Sequence, residues 1–300
     1  MSSAPDADAG GRLYVVATPI GNLADLSLRA IQVLRSVAVI AAEDTRLTRR
    51  LLDRHGIATP MSSFHARSGA GRLDELLARL RGGDDVALVS DAGTPTVSDP
   101  GEDLVAAWAA GGGAVIPIPG ASAVLAAVAG SGVAGPRWAF EGFLARSGRE
   151  RRERLARIAA DPRGTVIYEA PGRVAATLVD LATACGDDRP AAICRELTKL
   201  HEEIVRAPLG ELARRARGGE LTLRGEFAIV VGSVERPGSP ATHAAEPPDV
   251  AAALAEVERL VAAGTARGEA ARRVAAATGL PRRSLYAAPS APTDPGRRSG

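Results

Sequence analysis

Apolar residues recur along the chain in short runs, each closed by a polar, glycine- or proline-bearing turn and followed by a stretch of helical spacing. Leu13–Ala17, Val37–Ala42, Asp85–Val89 and Ala114–Ile118 have strand length. Leu28–Leu34, Leu47–His55, Arg72–Arg81, Glu102–Trp108 and Ala123–Ala129 carry the helical period, which places their apolar positions on one face. Pro60–His65 is a further short strand candidate. Strand and helix alternate throughout, so the pattern predicts a largely parallel sheet with helices on its faces. A second pattern begins with Trp138–Leu144 and continues with strands Thr165–Tyr168, Ala191–Cys194 and Phe227–Val231, with helices Arg173–Ala184 and Leu209–Arg217 between them.

The polar stretches at the strand ends carry the chemistry. Val89-Ser90-Asp91-Ala92-Gly93-Thr94-Pro95-Thr96-Val97-Ser98-Asp99-Pro100-Gly101 leaves one strand and enters a helix. Ligands of open α/β sheets collect at such exits, where loops offer backbone N–H groups and short polar side chains. The same residue types also make ordinary turns, so this loop alone is equally a turn or a site. Thr18-Pro19-Ile20-Gly21-Asn22, Glu43-Asp44-Thr45-Arg46, Pro119-Gly120-Ala121-Ser122, Glu169-Ala170-Pro171-Gly172-Arg173 and Arg195-Glu196-Leu197-Thr198-Lys199 occupy further exits. The first lacks the G-x-G-x-x-G fingerprint, which disfavours a nicotinamide site.

Boundaries follow from composition. Residues 1–11 are small and polar and read as a disordered N-terminus; 12–120 and 121–234 read as two α/β domains. Residues 235–249, rich in Pro, Ser and Ala, read as a linker. Residues 250–288 form a small helical unit, and 289–300 a disordered tail. Within that unit Val250–Ala262 and Glu269–Ala277 are helical, and Arg282-Arg283 follow. A helix-turn-helix and a helical cap without nucleic-acid contact both satisfy this pattern.

Composition narrows the class. Of 300 residues 46% are hydrophobic, enough for sizeable cores, and no run has the length to cross a bilayer. The N-terminus has neither a basic nor an apolar signal region, so a cytoplasmic location without membrane association is expected. Cys185 and Cys194 have no metal-ligand spacing, make no disulfide framework and read as packing residues. A net charge of +2 excludes nucleic-acid binding by bulk charge alone and leaves room for a local basic face. The run Arg146–Arg157 is either a solvated helix face or a phosphate-holding cluster. Lys199 is the only lysine in a chain with 37 basic residues, and a lysine kept against that bias invites a chemical role.

Taken in order, the exit motifs, with Glu141-Gly142-Phe143-Leu144, Tyr168-Glu169-Ala170-Pro171 and Arg224-Gly225-Glu226-Phe227, resemble the ribosomal RNA small subunit methyltransferase I branch of the tetrapyrrole methylase superfamily. The likeness is continuous over about residues 12–233 and weaker over 250–287. It implies two α/β domains with S-adenosylmethionine in the cleft between them, a homodimer, and 2′-O-methylation of a cytidine ribose in the decoding region of 16S rRNA in the small ribosomal subunit. Carried over by motif, the cofactor-facing positions are Pro19, Gly21, Asp91, Gly93, Thr94, Ser122, Ala123 and Tyr168, with Ala192 and Gly225 completing the pocket. Departures fall at Phe64-His65 followed by Ala66-Arg67-Ser68, at Ala145-Arg146-Ser147, and at Ala170-Pro171-Gly172 before Arg173; they leave the cofactor motifs untouched.

Methyl transfer is an in-line displacement, so alignment comes first and a base or alkoxide-stabilising cation second. By type and location Glu43, Asp44, Asp99, Glu196 and Glu226 are the base candidates, and Arg46, Arg195 and Lys199 the cations; paired charges at strand exits can equally hold loops. A corrin or porphyrin methyltransferase, and a ribosome-assembly RNA-binding protein without turnover, are the alternatives.

Overall fold

In a computed structural model that describes residues 10–234, 250–278, 280 and 282–285, the chain forms two compact units, divided between Val234 and Glu235. The expectations for residues 1–9, the linker at 235–249, and 286–300 lie outside the described residues. Gly11, placed by composition in the polar N-terminus, is buried, and its N–H donates to the Leu80 carbonyl at 2.6 Å.

The first half of the larger unit is a five-stranded parallel sheet. Its strands are β1 (Leu13–Val16), β2 (Val39–Ala42), β3 (Met61–Ser63), β4 (Val86–Val89) and β5 (Val115–Ile118), in the order β3-β2-β4-β1-β5. Helices α1 (Leu28–Ser36), α2 (Thr45–Arg54), α3 (Ala70–Arg81) and α4 (Glu102–Ala110) connect them. Successive side chains of a strand point to opposite faces. Ile40, Ala42, Ala87 and Val89 thus pack against α1 and α2 through Ala30, Leu34, Leu51 and Leu52. Val39, Ala41, Val86 and Leu88 pack against α3 and α4 through Leu76, Leu80, Leu104 and Trp108. Helix α1 starts where Ser27 Oγ accepts the Ala30 N–H at 3.1 Å, a side-chain N-cap.

Helix α5 (Ala123–Ser131) leads into a mixed sheet. Strands β6 (Trp138–Phe143), β7 (Gly164–Glu169), β8 (Pro190–Arg195), β9 (Glu203–Pro208) and β10 (Phe227–Val231) run in the order β6-β7-β10-β8-β9, the β6–β7 pair parallel and the others antiparallel. Helices α6 (Gly148–Ala160), α7 (Val174–Cys185) and α8 (Leu209–Arg217) cover one face over Ile167, Ile193 and Ile229. The other face, with Val166, Ala192, Cys194, Ala228 and Val230, packs on α5 and takes Ile20 and Leu197 from strand-exit loops. Strand β9 does not stand out in the sequence: its burial is partial and it is a sheet edge, so the period-2 apolar signal is weak. The arginine run splits. Arg151 and Arg154 turn inward, Arg151 buried with its Nε on Asp180 Oδ2 at 2.8 Å and Arg154 on Glu141; Arg146, Arg149, Arg152 and Arg157 are exposed.

The smaller unit pairs α9 (Val250–Ala262) with α10 (Arg267–Thr278) and a 3-10 turn at Arg282–Leu285. Its core is Ala253, Val257, Ala270, Ala271, Val274 and Leu285.

Gly101 ends the loop after β4 with φ +119° as the N-cap of α4, and a Cβ there would stand 2.5 Å from Leu88 Cδ2. Gly101→Ala is expected to lower the unfolding free energy by about 1–3 kcal/mol, from backbone strain and overpacking together. Urea denaturation of the full chain checks it.

Candidate functional site

Because every strand of the first sheet runs the same way, the exits of β1, β2, β4 and β5 meet on one edge. Three hydrogen bonds bind the first and third of these loops. Thr18 N–H donates to the Gly93 carbonyl at 2.8 Å and Gly93 N–H returns to the Thr18 carbonyl at 3.0 Å. The buried Thr18 hydroxyl donates to the Ser90 carbonyl at 3.1 Å. Thr94 Oγ1 then reaches the Ala121 carbonyl at 3.3 Å, tying the same loop to the exit of β5. To make these turns Gly93 adopts φ +85°, and Thr96 and Ser98 adopt φ +72° and +67°. Left-handed backbone in residues with a side chain costs about 1–3 kcal/mol each, so the surrounding contacts hold the loop in shape.

Carboxylates crowd this edge. Asp91, an exposed residue, bonds to the exit of β2: its Oδ1 accepts the Asp44 N–H at 2.9 Å, while Asp91 N–H donates to Glu43 Oε2 at 3.3 Å. Asp44 caps α2 by accepting the Arg46 N–H at 2.8 Å and pairs with the Arg46 guanidinium at 2.8 Å; these hydrogen bonds hold it down to about 2. Glu43 is pushed up by burial and by the neighbouring Asp91. Burial lifts Asp99 further, to about 6, with the charges of Glu43 and Asp91 adding to it.

The mixed sheet supplies the facing wall. Tyr168 stacks edge-on to Phe140, ring centroids 4.9 Å apart, and lies 5.6 Å from Phe143. Burial pushes its phenol up to about 12, so the hydroxyl stays protonated. Next to it Glu169, 2% exposed, accepts from Thr177 Oγ1 at 2.6 Å, from the Ala170 N–H at 2.9 Å, and pairs with Arg173 Nε at 3.2 Å. Thr177 in turn accepts from Arg151 Nη2 at 3.0 Å. Arg151 and Arg173 donate to the carbonyls of Ala145 and Leu144, at 2.9 and 2.7 Å. A buried carboxylate thus fixes the loop after β6 through two arginines.

Lys199 bridges Glu196 Oε1 at 2.8 Å and Glu226 Oε2 at 2.9 Å, and Glu226 N–H also donates to Glu196 Oε1 at 2.9 Å. Gly21 lies under the Lys199 stem, where a Cβ would overlap Cγ and Cε. Gly225, at φ +91°, leaves room for the Glu196 carboxyl, which a Cβ would meet at 2.5 Å. Arg195 parts from its sequence neighbours. It lies on the opposite face of β8 from Cys194 and binds Glu203 Oε2 at 3.0 Å across the β8–β9 hairpin, away from Lys199.

Between the two walls is a cavity of about 370 Å³. Of the cofactor positions read from the sequence, Gly93, Thr94, Ser122, Ala123, Tyr168 and Gly225 line it. Pro19 and Ala192 are instead buried neighbours of Ile20 and Cys194, which do line it. Asp91 and Gly21 hold the loops described above. Leu197, Phe143 and Glu169 are lining residues that the motif reading did not single out. Glu169 was visible as part of Tyr168-Glu169-Ala170-Pro171 and of the exit Glu169-Ala170-Pro171-Gly172-Arg173. Among the described residues no Arg, Lys or His lines the cavity, whereas Asp99, Glu169 and Glu226 do. An open groove of about 510 Å³ adjoins, lined by residues of the Phe64–Ser68 turn and of Asp99–Ala106. Asp99 is the one described residue that lines both.

Residues 12–213 match the Tetrapyrrole (Corrin/Porphyrin) Methylases, and the chain belongs to this family of methyltransferases. Among solved structures, a cobalt precorrin-4 methyltransferase superposes with a TM-score of 0.57 at 17% identity, covering 74% of this chain and 94% of the other. A uroporphyrin-III C-methyltransferase from Thermus thermophilus, complexed with S-adenosyl homocysteine, gives 0.54 at 21% identity over 74% and 97%. These share the fold. Much nearer in sequence is a protein of Synechocystis sp. named ribosomal RNA small subunit methyltransferase I, 46% identical over 92% of this chain and 96% of its own length. A protein of the same name from Micromonospora olivasterospora is 44% identical over 94% and 87%.

The raised Asp99 value has a thermodynamic counterpart. Between the unfolded carboxylate value of about 4 and the folded value of about 6, the native state binds more protons than the unfolded one. Stability therefore falls as pH rises through that window. Asp99→Asn, measured by denaturation at pH 4.5 and 7.5, is expected to gain stability relative to the unsubstituted chain at the higher pH only.

Proposed function

We propose that this chain is an S-adenosylmethionine-dependent methyltransferase that modifies the 2′-hydroxyl of a cytidine in the decoding region of 16S rRNA, within the small ribosomal subunit. One observation carries the cofactor part: a cavity whose described lining has no cationic side chain and whose wall holds the rings of Phe143 and Tyr168 and the Asp99 carboxylate, Glu169 and Glu226 being paired with Arg173 and Lys199. Nucleotide phosphates are held by basic groups or by clusters of N–H donors. A sulfonium is a cation, and carboxylates and aromatic faces attract it. The other parts of that ligand fit the same wall. Ile20, Val97, Leu197 and Ala228 offer apolar surface, and Thr94, Ser122 and Tyr168 offer hydroxyls. When bound, the cofactor supplies an electrophilic methyl group. The chain's own residues position the ligand and the acceptor and exclude water.

RNA as acceptor is supported by the high identity to the two relatives named above, and by a feature of α2. Arg46, Arg49, Arg50 and Arg54 are exposed, Arg49 and Arg50 lying three and four residues after Arg46 and Arg54 four after Arg50, so they share one face. Thr48, Leu51 and Leu52 are buried on the other. This arginine face begins at the exit of β2, beside the carboxylates of the site, where it would hold phosphates leading toward the cavity. The homodimer implied by the resemblance and the cytoplasmic setting expected from the sequence belong to the same reading.

Methyl-labelled cofactor incubated with small subunits that lack the modification is expected to label RNA, and digestion to nucleosides to release 2′-O-methylcytidine. Label on a base, or on none of the RNA, would refute the reading. The double variant Arg49→Gln, Arg50→Gln is expected to weaken RNA binding and to flatten its salt dependence by about 0.7–0.9 in the log–log slope per lost phosphate contact, with cofactor binding unchanged in calorimetry.

A further inference from the structure

One aromatic ring stands apart from the others. Phe64 and Phe227 are buried and Phe140 is half-buried, whereas Phe143 lines the cavity and is still 52% exposed. A ring left in water forgoes part of the free energy that its burial would yield, so its placement has a cause. The cause lies in β6. Phe140 pairs with Val166 and Phe143 with Tyr168, and Glu141 is skipped in the register, a bulge in a parallel pair, where bulges are rare. Three residues apart on a regular strand, Phe140 and Phe143 would point to opposite faces. With the extra residue both take the face that carries Tyr168, Cys194 and Ala228 to the cavity, and both rings reach Tyr168. Gly142 makes the turn at φ +60°, where a Cβ would meet Ser98 Oγ at 3.1 Å.

The backbone beneath the ring is fixed. Arg154 donates to the carbonyls of Glu141 and Phe143, the latter at 2.8 Å, and pairs with the Glu141 carboxylate at 2.9 Å. Arg173 and Arg151 hold the next two carbonyls, those of Leu144 and Ala145. Three guanidinium groups are thus committed to a segment whose own ring stays accessible. Tyr168, its one aromatic neighbour among the described residues, meets it at 59° and so does not stack on it. Three residues on, Arg146 is exposed, as are Arg149 and Arg152 in the first turns of α6. An accessible ring followed by guanidinium groups suits single-stranded nucleic acid, in which a base stacks on the ring and basic side chains follow the phosphates.

We infer that the base of the acceptor nucleotide stacks on Phe143, and that this stack holds its ribose at the cavity during methyl transfer. The inference rests on the reading under Proposed function and adds to it the residue that grips the target. In-line transfer needs the acceptor hydroxyl aligned, and a ribose is aligned through the base and phosphate it carries. A base drawn out of its own stack loses its neighbours, and the Phe143 ring replaces one of them. Every base has a π-face, so the contact supplies affinity and position rather than sequence discrimination. The adenine of the cofactor is the other flat ring at this edge, and a cofactor-sized probe separates the two.

The test uses the full chain, small subunits lacking the modification, and S-adenosylhomocysteine as the binding probe. Phe143→Leu keeps apolar bulk but removes the π-face, and Phe143→Trp keeps that face. Phe143→Leu is expected to lower kcat/KM for subunits by about 5–150-fold, the span of one base–aromatic stack, with probe affinity within about threefold of the unsubstituted chain. Phe143→Trp is expected to retain kcat/KM within about threefold. Subunits reconstituted with an abasic ribose at the target are expected to cost the unsubstituted chain a similar factor, and to cost Phe143→Leu little, because the two changes remove one contact. A loss in Phe143→Leu of less than about fivefold overturns the inference. So does an equal loss of probe affinity, which assigns the ring to the cofactor, a Phe143→Trp variant as impaired as Phe143→Leu, or full additivity of the substitution with removal of the base. Absence of transfer by the unsubstituted chain would instead overturn the RNA reading, and this inference with it.

Discussion

The exchange of backbone hydrogen bonds between Thr18 and Gly93 is the constraint on which the site depends. Parallel strands bring their exits to one edge, but adjacency alone leaves loops free to splay. Here two loops from strands adjacent in the sheet are closed into a miniature antiparallel pair, with the Thr18 hydroxyl on the Ser90 carbonyl beneath it. That pairing presents Ile20 on one side and Thr94 on the other to the same cavity. It also forces Gly93 into left-handed backbone, and the loop's later turns at Thr96 and Ser98 follow from the need to return to α4 within a few residues.

The mixed sheet answers with a different device. It has no common strand exit, since β6 and β7 run in parallel while its other pairs are antiparallel. Its contribution is organised by a buried charge, Glu169, whose neighbours Thr177, Arg151 and Arg173 reach out to peptide carbonyls of the loop after β6. Burying a carboxylate costs free energy unless it is fully bonded. The bonds that satisfy it also fix where Phe143 and Tyr168 stand. One wall is thus held by backbone pairing and the other by a salt-bridged network.

The elements of this fold are written plainly in the chain where burial is strong and periodic. The four-residue runs of β1, β2 and β4, and the leucines of α3 at positions 73, 76, 77 and 80, could hardly be read otherwise. Strand β9 escaped because an edge strand with exposed Glu203 and Pro208 lacks the apolar signal. At the site, the motifs identified which loops matter, and six of the ten cofactor positions carried over by likeness line one cavity. Side-chain direction was beyond them. Asp91 and Asp99 belong to the same loop and have the same chemistry, yet one bonds to the Asp44 amide and the other lines both the cavity and the groove. Arg195 and Glu196 are consecutive but stand apart, because the strand alternation sends Arg195 to Glu203. That last separation was accessible in principle, from the two-residue period of Ala192 and Cys194 against Ile193 and Arg195.

Gly21 and Lys199 come from opposite ends of the larger unit, the one from the loop after β1 and the other from the loop after β8, and the absent side chain of the first is the seat of the second. A glycine motif at a strand exit is usually read as room for a ligand. Here the room is occupied by the protein's own lysine, which makes the Pro19-Ile20-Gly21 and Glu196-Leu197-Thr198-Lys199 segments a single mechanical joint. Each segment is therefore meaningful only in the presence of the other, and a graft of either loop onto a related scaffold would transfer half a joint unless its counterpart travelled with it.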